Sequence, residues 1–351
     1  MFRKVLPVII STLLYSQSRP VPYNLVWEGG DLVVLDAKGP FREYIKGGIT
    51  KRVDFPSFEE GSQFVDFQDN YLWANSYLDV KDGLAVVVSK YAADGTRIKV
   101  GVLNVPYIRG TKVMPLKNGK FIGFVMNFEF EKANSNITGY GPVVYLSVTE
   151  KEELVITGWG DLALSKPYYN KLRKPISQSH YNYLSLSTDI SADPTPIRVG
   201  DYIVLPSFYT GFIFVFSAID GKLMRTIDFF DIGEESLKNS FDGAALISLI
   251  PTKNDNLLVL HRPSINLGSR QPLIDDNQSM EAISDQLAKL HAAAEDNASL
   301  YSKTEWTIID PSTGERYNYD EPQNLPKPFI DILLGKYKIR FNAAGLLQKV
   351  D

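Results

Sequence analysis

Short apolar runs recur along the chain, and a tight polar turn follows most of them. In residues 212–229, the segment FIFVFSAIDGKLMRTIDF places two apolar runs on either side of the turn at residues 218–221. A β-branched or aromatic run, a turn rich in Asp, Asn, Ser or Gly, and a second run of mixed polarity predict a β-hairpin. The pattern occurs six times, at residues 32–45, 85–100, 143–156, 212–229, 306–319 and 337–350.

Glycine ends the predicted turn in five of these six hairpins. The five glycines are Gly39, Gly95, Gly221, Gly314 and Gly345. Such turns need a residue with positive φ, which glycine adopts at little steric cost. The third hairpin carries Glu152 at the equivalent position and is therefore the weakest match to the pattern.

A second pattern places a polar turn directly before a run of four or five apolar residues. The four cases are YLWA after residues 68–70, FIGFV after 117–120, YIVLP after 198–201 and LLVLH after 253–256. This arrangement predicts a buried strand that is entered from a tight turn. Together, the two patterns predict a repeated unit of strand, tight turn, buried strand, connection and outer hairpin, which forms a four-stranded antiparallel sheet.

Repeated four-stranded units predict an all-β fold of the β-propeller type. Six blades fit the six hairpins best, five or seven remain open, and tandem β-sandwiches are the alternative architecture. Met280, Ile283, Leu287 and Leu290 share one face of a predicted helix at residues 279–292, inside an insertion at 270–302. Since no low-complexity linker divides residues 19–351, a single propeller domain is expected there.

The hairpins, above all IFVFSAIDGKLMRTI and WTIIDPSTGERYNY, resemble the last two strands of blades in six-bladed propellers of the TolB-like and NHL-like kind. The resemblance extends over roughly residues 24–351 as a pattern of strands and turns. It implies blades around a central channel. Members of these families bind proteins, peptides or sugars, and some are calcium-dependent lactonases.

Composition excludes several chemistries. The 351 residues carry a net charge of −4, which lacks the basic field typical of a nucleic-acid-binding protein. The absence of cysteine removes disulfides, thiolate catalysis and cysteine-based metal sites. The three histidines, His180, His261 and His291, are too far apart in sequence for a HExxH zinc motif.

The N-terminus has the layout of an export signal. Arg3 and Lys4 precede an apolar run at residues 5–15, and small residues follow at Ser16 and Ser18. We therefore expect residues 1–18 to be a signal peptide and the mature protein to be periplasmic or secreted from a bacterial cell. A first β-strand in a cytoplasmic protein is the alternative reading. No other stretch is long and apolar enough for a transmembrane helix.

Acidic and amide residues near predicted inner strands are candidate metal ligands. The candidates are Asp66, Asn127, Asp189, Asp242 and Asp331. A ring of such oxygens at a channel mouth is suited to Ca²⁺, which takes six to eight oxygen ligands. The alternative is that each residue caps a turn or faces water, which is the usual role of Asp and Asn in all-β chains.

Candidate ligand-binding residues fall into two groups. His261 and Arg262 leave a predicted buried strand and could bind an anion or a sugar carboxylate. Aromatic rings in a polar stretch could stack on a sugar or peptide; these are Tyr168, Tyr169, Tyr181 and Tyr183, with His180 beside them. The structural alternatives are a core histidine and rings that fill gaps between blades. The face of helix 279–292 is a further candidate for contact with a partner.

The sequence favours a non-catalytic binding or scaffold propeller whose ligand is a protein, peptide or glycan at the channel mouth. There is no nucleophile elbow or Asp-His-Ser order to support serine hydrolase chemistry. The alternative is a calcium-dependent hydrolase or lactonase, or a carbohydrate-active enzyme.

Overall fold

The structure is a computed structural model of the chain. It describes residues 23–28, 31–36, 41–46, 49–55, 62–80, 83–105, 108–128, 143–160, 162, 196–206, 211–231, 245–252, 254–262, 305–318, 339–341 and 347–349. This part of the chain consists of strands and turns without a helix. The proposed leader at 1–18 and the predicted helix at 279–292 lie outside the described residues.

Twenty strands form five four-stranded antiparallel sheets, each with its strands in chain order. Sheet 1 comprises β1 (Tyr23–Glu28), β2 (Asp31–Asp36), β3 (Phe41–Lys46) and β4 (Ile49–Asp54). Sheet 2 comprises β5 (Gln63–Gln68), β6 (Tyr71–Val80), β7 (Gly83–Tyr91) and β8 (Arg97–Leu103). Sheet 3 comprises β9 (Ile108–Pro115), β10 (Phe121–Phe128), β11 (Val143–Val148) and β12 (Leu154–Gly160).

The remaining strands complete the set. Sheet 4 comprises β13 (Ile197–Val199), β14 (Tyr202–Pro206), β15 (Phe212–Ser217) and β16 (Leu223–Asp228). Sheet 5 comprises β17 (Ala245–Pro251), β18 (Leu257–Arg262), β19 (Glu305–Ile309) and β20 (Arg316–Asn318). A two-stranded ribbon joins β21 (Ile339–Phe341) to β22 (Leu347–Lys349).

The apolar runs become the middle strands of the sheets because both of their faces are covered. The first five residues of β15 are all buried, whereas Ile227 is the one buried residue of β16 and its other positions are exposed or half-buried, as expected of an outer strand. Sheets 2 to 5 confirm the predicted unit, since their second strands β6, β10, β14 and β18 begin with the four predicted buried runs.

The outer hairpins of sheets 2 to 5 turn through a residue with positive φ, as the sequence predicts. Gly95, Gly221 and Gly314 have φ of 84°, 77° and 78°. Glu152 adopts the same left-handed conformation, with φ of 57°, at the one turn that lacks glycine. The third predicted hairpin is therefore confirmed, and its turn holds Glu152 in a left-handed conformation that residues with a side chain disfavour.

The first hairpin is placed differently from the prediction. Residues 32–45 were expected to form an outer hairpin, but they join β2 to β3, which are the two middle strands of sheet 1. The outer hairpin of this sheet is instead formed by β3 and β4, at residues 41–46 and 49–54. In the segment IKGGITKRVD, polar residues separate the apolar ones, so no apolar run marks this hairpin in the sequence.

Consecutive sheets pack face to face around a shared centre. Separate apolar clusters join sheets 1 and 2, sheets 2 and 3, sheets 3 and 4, and sheets 4 and 5. The first strands β1, β5, β9, β13 and β17 lie at the centre, where β1 contacts β5, β13 and β17 and where β5 contacts β9 and β13. This arrangement confirms an all-β propeller of four-stranded antiparallel blades; six blades remain a prediction, because beyond the five sheets the structure describes only the β21–β22 ribbon.

The two ends of the sheets differ in how their strands are connected. At one end, the turns between first and second strands and between third and fourth strands contain two to six residues, and we call this the short-turn end. The other end carries every longer connection and is called the long-connection end. Its longest connections are residues 129–142, 161–196, 229–244, 263–304 and 319–338.

Candidate functional site

The inner strands meet at their short-turn ends. The indole Nε1 of Trp27, near the end of β1, donates to the backbone oxygen of Pro251 at the end of β17, at 3.0 Å. The backbone N–H of Asp69, in the turn after β5, donates to Oε1 of Glu28 at 2.9 Å. These bonds join sheets 1 and 5 and sheets 1 and 2, so the inner strands run in a common direction along the channel.

Arg198 of β13 occupies the centre of this end and connects three sheets. Its Nε and Nη2 donate to Oδ2 of Asp66 in β5, at 2.7 and 2.5 Å. Nη2 also donates to Oε1 of Gln68 at 3.1 Å and to the backbone oxygen of Pro115, at the end of β9, at 2.8 Å. Only 4% of Arg198 and none of Asp66 is exposed. We call this group of four residues the Arg198 cluster.

The electrostatics of the cluster fit an ionised pair. Burial raises the pKa of Asp66 above its ordinary value, and the charge and hydrogen bonds of Arg198 act in the opposite direction. The second oxygen of Asp66, Oδ1, accepts the backbone N–H of Phe67 at 2.9 Å. Since both carboxyl oxygens receive donors, the site suits the carboxylate.

One nitrogen of the Arg198 guanidinium makes no hydrogen bond to the described residues. Within the part of the chain that the structure describes, Nη1 of Arg198 is buried and has no hydrogen-bond acceptor. Buried polar groups in folded proteins nearly always have a partner, so an unpaired guanidinium nitrogen at the centre of a propeller is an unusual feature.

Asn75 of β6 makes a second buried contact between sheets. Its Oδ1 accepts the backbone N–H of Val113 in β9 at 2.7 Å, and its Nδ2 donates to the backbone oxygen of the same residue at 3.0 Å. The side-chain amide thus satisfies both polar groups that Val113 presents on the free edge of its strand. Asn75 is fully buried, so the contact is shielded from water.

The turns of sheets 3 and 4 are also bonded to each other at the short-turn end. The ammonium of Lys117 pairs with the carboxylate of Asp201, and the backbone N–H of Lys117 donates to the oxygen of Ala218 at 2.9 Å. The hydroxyl of Tyr145 donates to the backbone oxygen of Gly221 at 3.2 Å. These three contacts join sheets 3 and 4 at the short-turn end.

Three of the predicted candidate residues lie at the opposite end. His261 and Arg262 end β18, and the backbone of Asn127 pairs with that of Arg109 near the end of β10. Both positions adjoin the long-connection end. Apart from Asp66, the other candidates lie outside the described residues, namely Tyr168, Tyr169, His180, Tyr181, Tyr183, Asp189, Asp242 and Asp331.

His261 is a buried, uncharged histidine in the interface between sheets 4 and 5. It is 7% exposed, its Nε2 lies 3.0 Å from Oγ1 of Thr307, and its ring centroid lies 4.7 Å from that of Phe229. Burial lowers the pKa of His261 to about 4. Because anion binding by histidine relies on the protonated form, the predicted role in anion recognition is disfavoured by this environment.

Asp66 is the one metal candidate whose side chain the structure describes, and it is engaged by Arg198. A calcium ion at Asp66 would have to displace the guanidinium. Among the described residues, no three His, Asp or Glu side chains are grouped so that they could hold a metal ion. Of the five predicted metal ligands, the structure shows the side-chain surroundings of Asp66 alone, so the calcium site stays a prediction.

Sequence reasoning missed Arg198, Gln68 and Asn75 as central residues. Arg198 and Asn75 are each a polar side chain within a mostly apolar strand, whereas Gln68 is the last residue of β5. Arg198 stands between Ile197 and Val199, and Asn75 follows Ala74 in YLWANSY. A charged or amide residue flanked by buried apolar neighbours predicts a buried polar contact, but it does not identify the partner.

Comparisons with known proteins add the following findings. No family model matches the chain, and no curated protein matches it. A solved structure from Lactobacillus plantarum is 10% identical over 87% of this chain and 85% of its own, with a TM-score of 0.35. A calcium-binding regucalcin from Agrobacterium tumefaciens is 11% identical over 76% of this chain and 88% of its own, with a TM-score of 0.29. A glycosyl hydrolase from Bacteroides ovatus is 11% identical over 70% of this chain and 81% of its own, also with a TM-score of 0.29.

The fold and the central contacts define the chain as a β-propeller. None of the comparisons assigns it to a particular family within that class. The described residues include no helix with the length and apolarity needed to cross a membrane.

Proposed function

We propose that the chain is a non-catalytic binding or scaffold propeller that engages a protein, peptide or glycan at the long-connection mouth of its channel. The difference between the two ends of the sheets carries this proposal. At the short-turn end, several polar side chains make contacts between sheets, with the Arg198 cluster at the centre. At the other end lie the long connections, which contain most of the residues outside the sheets. Binding residues are commonly found on such connections.

Export of the protein is part of the same proposal. It is supported by the basic residues Arg3 and Lys4, the apolar run at 5–15 and the small residues that follow. N-terminal sequencing of the protein recovered from the periplasm or medium tests it. Recovery of the intact N-terminus from the cytoplasm alone contradicts export without affecting the binding proposal.

Glycan arrays and affinity capture with the chain lacking residues 1–18 test the binding proposal. Because the chain has no cysteine, single-cysteine variants allow bulky labels to be placed at either end. Gln63→Cys places a label at the start of β5, at the long-connection end, and Asn118→Cys places one in the turn after β9. Both side chains are exposed.

We expect a maleimide label at residue 63 to weaken ligand binding and the same label at residue 118 to leave it unchanged. The opposite result assigns binding to the short-turn end. Turnover of a lactone or glycoside that requires calcium and is abolished by a single change among Asn127, Asp189, Asp242 and Asp331 contradicts the non-catalytic proposal. It would instead support the calcium-dependent hydrolase predicted as the alternative.

A further inference from the structure

Asn118 and Gly119 form the tip of the exposed turn between β9 and β10. We propose that Asn118 is a site of deamidation, a covalent modification that removes its side-chain amide and leaves aspartate or isoaspartate at residue 118. The pair is the only Asn-Gly sequence in the chain. The inference stands apart from the proposed binding function, because it concerns the short-turn end and needs no ligand.

The reaction begins with an attack of the backbone nitrogen of Gly119 on Cγ of Asn118. A bond forms between these two atoms, and the bond from Cγ to the side-chain nitrogen breaks. The proton of the attacking N–H passes through water to the departing nitrogen, which leaves as ammonia. Water then opens the five-membered imide: attack at Cγ gives aspartate, and attack at the backbone carbonyl gives isoaspartate, whose chain runs through the side-chain carbon.

Glycine at position 119 leaves room for this attack. A side chain there would place a Cβ atom beside the reacting nitrogen, and glycine has none. Among the described residues, apart from the two chain neighbours, no heavy atom lies within 4 Å of the position that a Cβ on Gly119 would occupy. Asn118 and Gly119 are both exposed, so water reaches the reacting groups directly.

Two hydrogen bonds hold the reacting groups and set the rate of the reaction. The backbone N–H of Gly119, which has φ of 78°, donates to the backbone oxygen of Leu116 at 3.1 Å. Oδ1 of Asn118 accepts the backbone N–H of Lys120 at 3.0 Å. Both bonds must open before the nitrogen reaches Cγ, and exposed turns open locally at little cost in free energy. The folded turn therefore slows the reaction without preventing it.

The products disturb a contact between sheets 3 and 4. The ammonium of Lys117 pairs with the carboxylate of Asp201, and the backbone N–H of Lys117 donates to the oxygen of Ala218 at 2.9 Å. A new carboxylate at residue 118 competes with Asp201 for this ammonium. Isoaspartate also adds one carbon to the backbone of the turn, which displaces the N–H of Lys117 from Ala218. Isoaspartate therefore weakens the contact more than aspartate does.

Incubation of the purified chain in mildly alkaline buffer tests the inference. Peptide mass spectrometry locates the replacement of NH₂ by OH, and a methyltransferase specific for isoaspartate measures that product separately. We expect residue 118 to be modified first. Asn70 and Asn254 are the internal controls, because both are exposed in turns between first and second strands but precede Tyr71 and Asp255. In urea, the modification of Asn118 should be about 10-fold faster, since the turn no longer restrains it.

Two variants separate the modification from its effect. Asn118→Gln needs a six-membered ring for the same attack, so this variant should stay unmodified over the same time. Asn118→Asp carries the aspartate product alone. Urea denaturation should show a lower midpoint for the incubated chain than for the fresh chain, and no change on incubation of Asn118→Gln. The isoaspartate fraction should have a lower midpoint than Asn118→Asp.

Three results would overturn parts of the inference. Earlier modification of Asn70 or Asn254 in the folded chain would show that the glycine and the open turn do not select the site. Modification of Asn118 in urea but none in the folded chain would show that the turn prevents the reaction. A modified chain with the same midpoint as the fresh chain would exclude the effect on the contact between sheets 3 and 4.

Discussion

Asn75 bonds to the backbone of Val113 as a neighbouring strand would. Its side-chain oxygen accepts the backbone N–H of Val113, and its side-chain N–H donates to the backbone oxygen of Val113. The inner strand β9 has a strand partner on one side only, so its other edge needs acceptors and donors from elsewhere. A side-chain amide from the preceding sheet supplies both at one position. The contact therefore fixes the position of sheet 2 relative to sheet 3.

Replacement of Asn75 by Leu should lower the free energy of unfolding by about 3 kcal/mol, since each buried group left without a partner costs about 1–3 kcal/mol. Urea denaturation measures the change. Asn118→Ala is the matched control: the side chain of Asn118 accepts the backbone N–H of Lys120 in an exposed turn, and its loss should cost much less. Equal effects at the two positions would contradict the role given to Asn75.

The pair of Asp66 and Arg198 should show strong coupling in a double-mutant cycle. Either single change, Asp66→Leu or Arg198→Met, leaves one buried charge alone and should cost about 3–5 kcal/mol. The double variant should lose far less than the sum of the two, because a buried ion pair can be replaced by apolar side chains of similar volume. Chemical denaturation measures all three variants, and additive losses would show that the two residues act independently.

His261 should make the stability of the protein depend on pH between its ordinary pKa and its lowered one. The pKa falls from 6.5 to about 4 on burial, so the neutral form stabilises the fold above pH 6.5 and that contribution is lost as the pH falls towards 4. The free energy of unfolding should decrease with a slope that approaches about 1.4 kcal/mol per pH unit in this window.

His261→Gln is the control, because glutamine can keep a hydrogen bond to Thr307 but does not titrate. The variant should lack the decrease between pH 6.5 and 4. Asp231 acts in a different window: hydrogen bonds from Arg316 lower the pKa of Asp231, so the stability it contributes is lost only below its ordinary value of 3.8. An identical pH profile for the variant and the unaltered chain would rule out His261 as the source.

Glu152→Gly should stabilise the protein by about 1 kcal/mol, since a left-handed backbone costs a residue with a side chain about 1–2 kcal/mol and glycine loses part of this gain through its more flexible unfolded state. Thermal and urea unfolding measure the gain. Glu152→Ala separates the backbone effect from the side chain. It loses the exposed contact with Lys99, at 3.6 Å, but keeps the strained φ of 57° and should not stabilise.

The sequence was sufficient to predict the sheets because their signals are local. The turn at Gly221 and the run before it determine a hairpin within 18 residues, and the same pattern identified four of the five outer hairpins of the four-stranded sheets. The hairpin of β3 and β4 was missed because β4 contains no apolar run, since polar residues separate Ile49 from Val53. Blade number depends on how β1 and the last strands close the ring, which no local pattern encodes.

The central contacts could not be predicted because they join residues that are far apart in the chain. Asp66 was singled out as a metal candidate on its position alone, yet its partner is 132 residues away. Nothing near Asp66 in the sequence indicates Arg198. The environment of His261 likewise depends on Phe229 and Thr307, from a neighbouring sheet and a neighbouring strand, so its burial and lowered pKa become apparent only in the folded protein.

The separation of Asp66 from Arg198 has a consequence for synthesis on the ribosome. Sheets 2 and 3 leave the exit tunnel well before β13 does, so for that interval Asp66 has no guanidinium opposite it and must stay hydrated. The nascent chain therefore cannot close its centre blade by blade. The pair between Asp66 and Arg198 forms only when the fourth sheet emerges, and until then the earlier sheets form an open arc that factors binding the nascent chain could recognise.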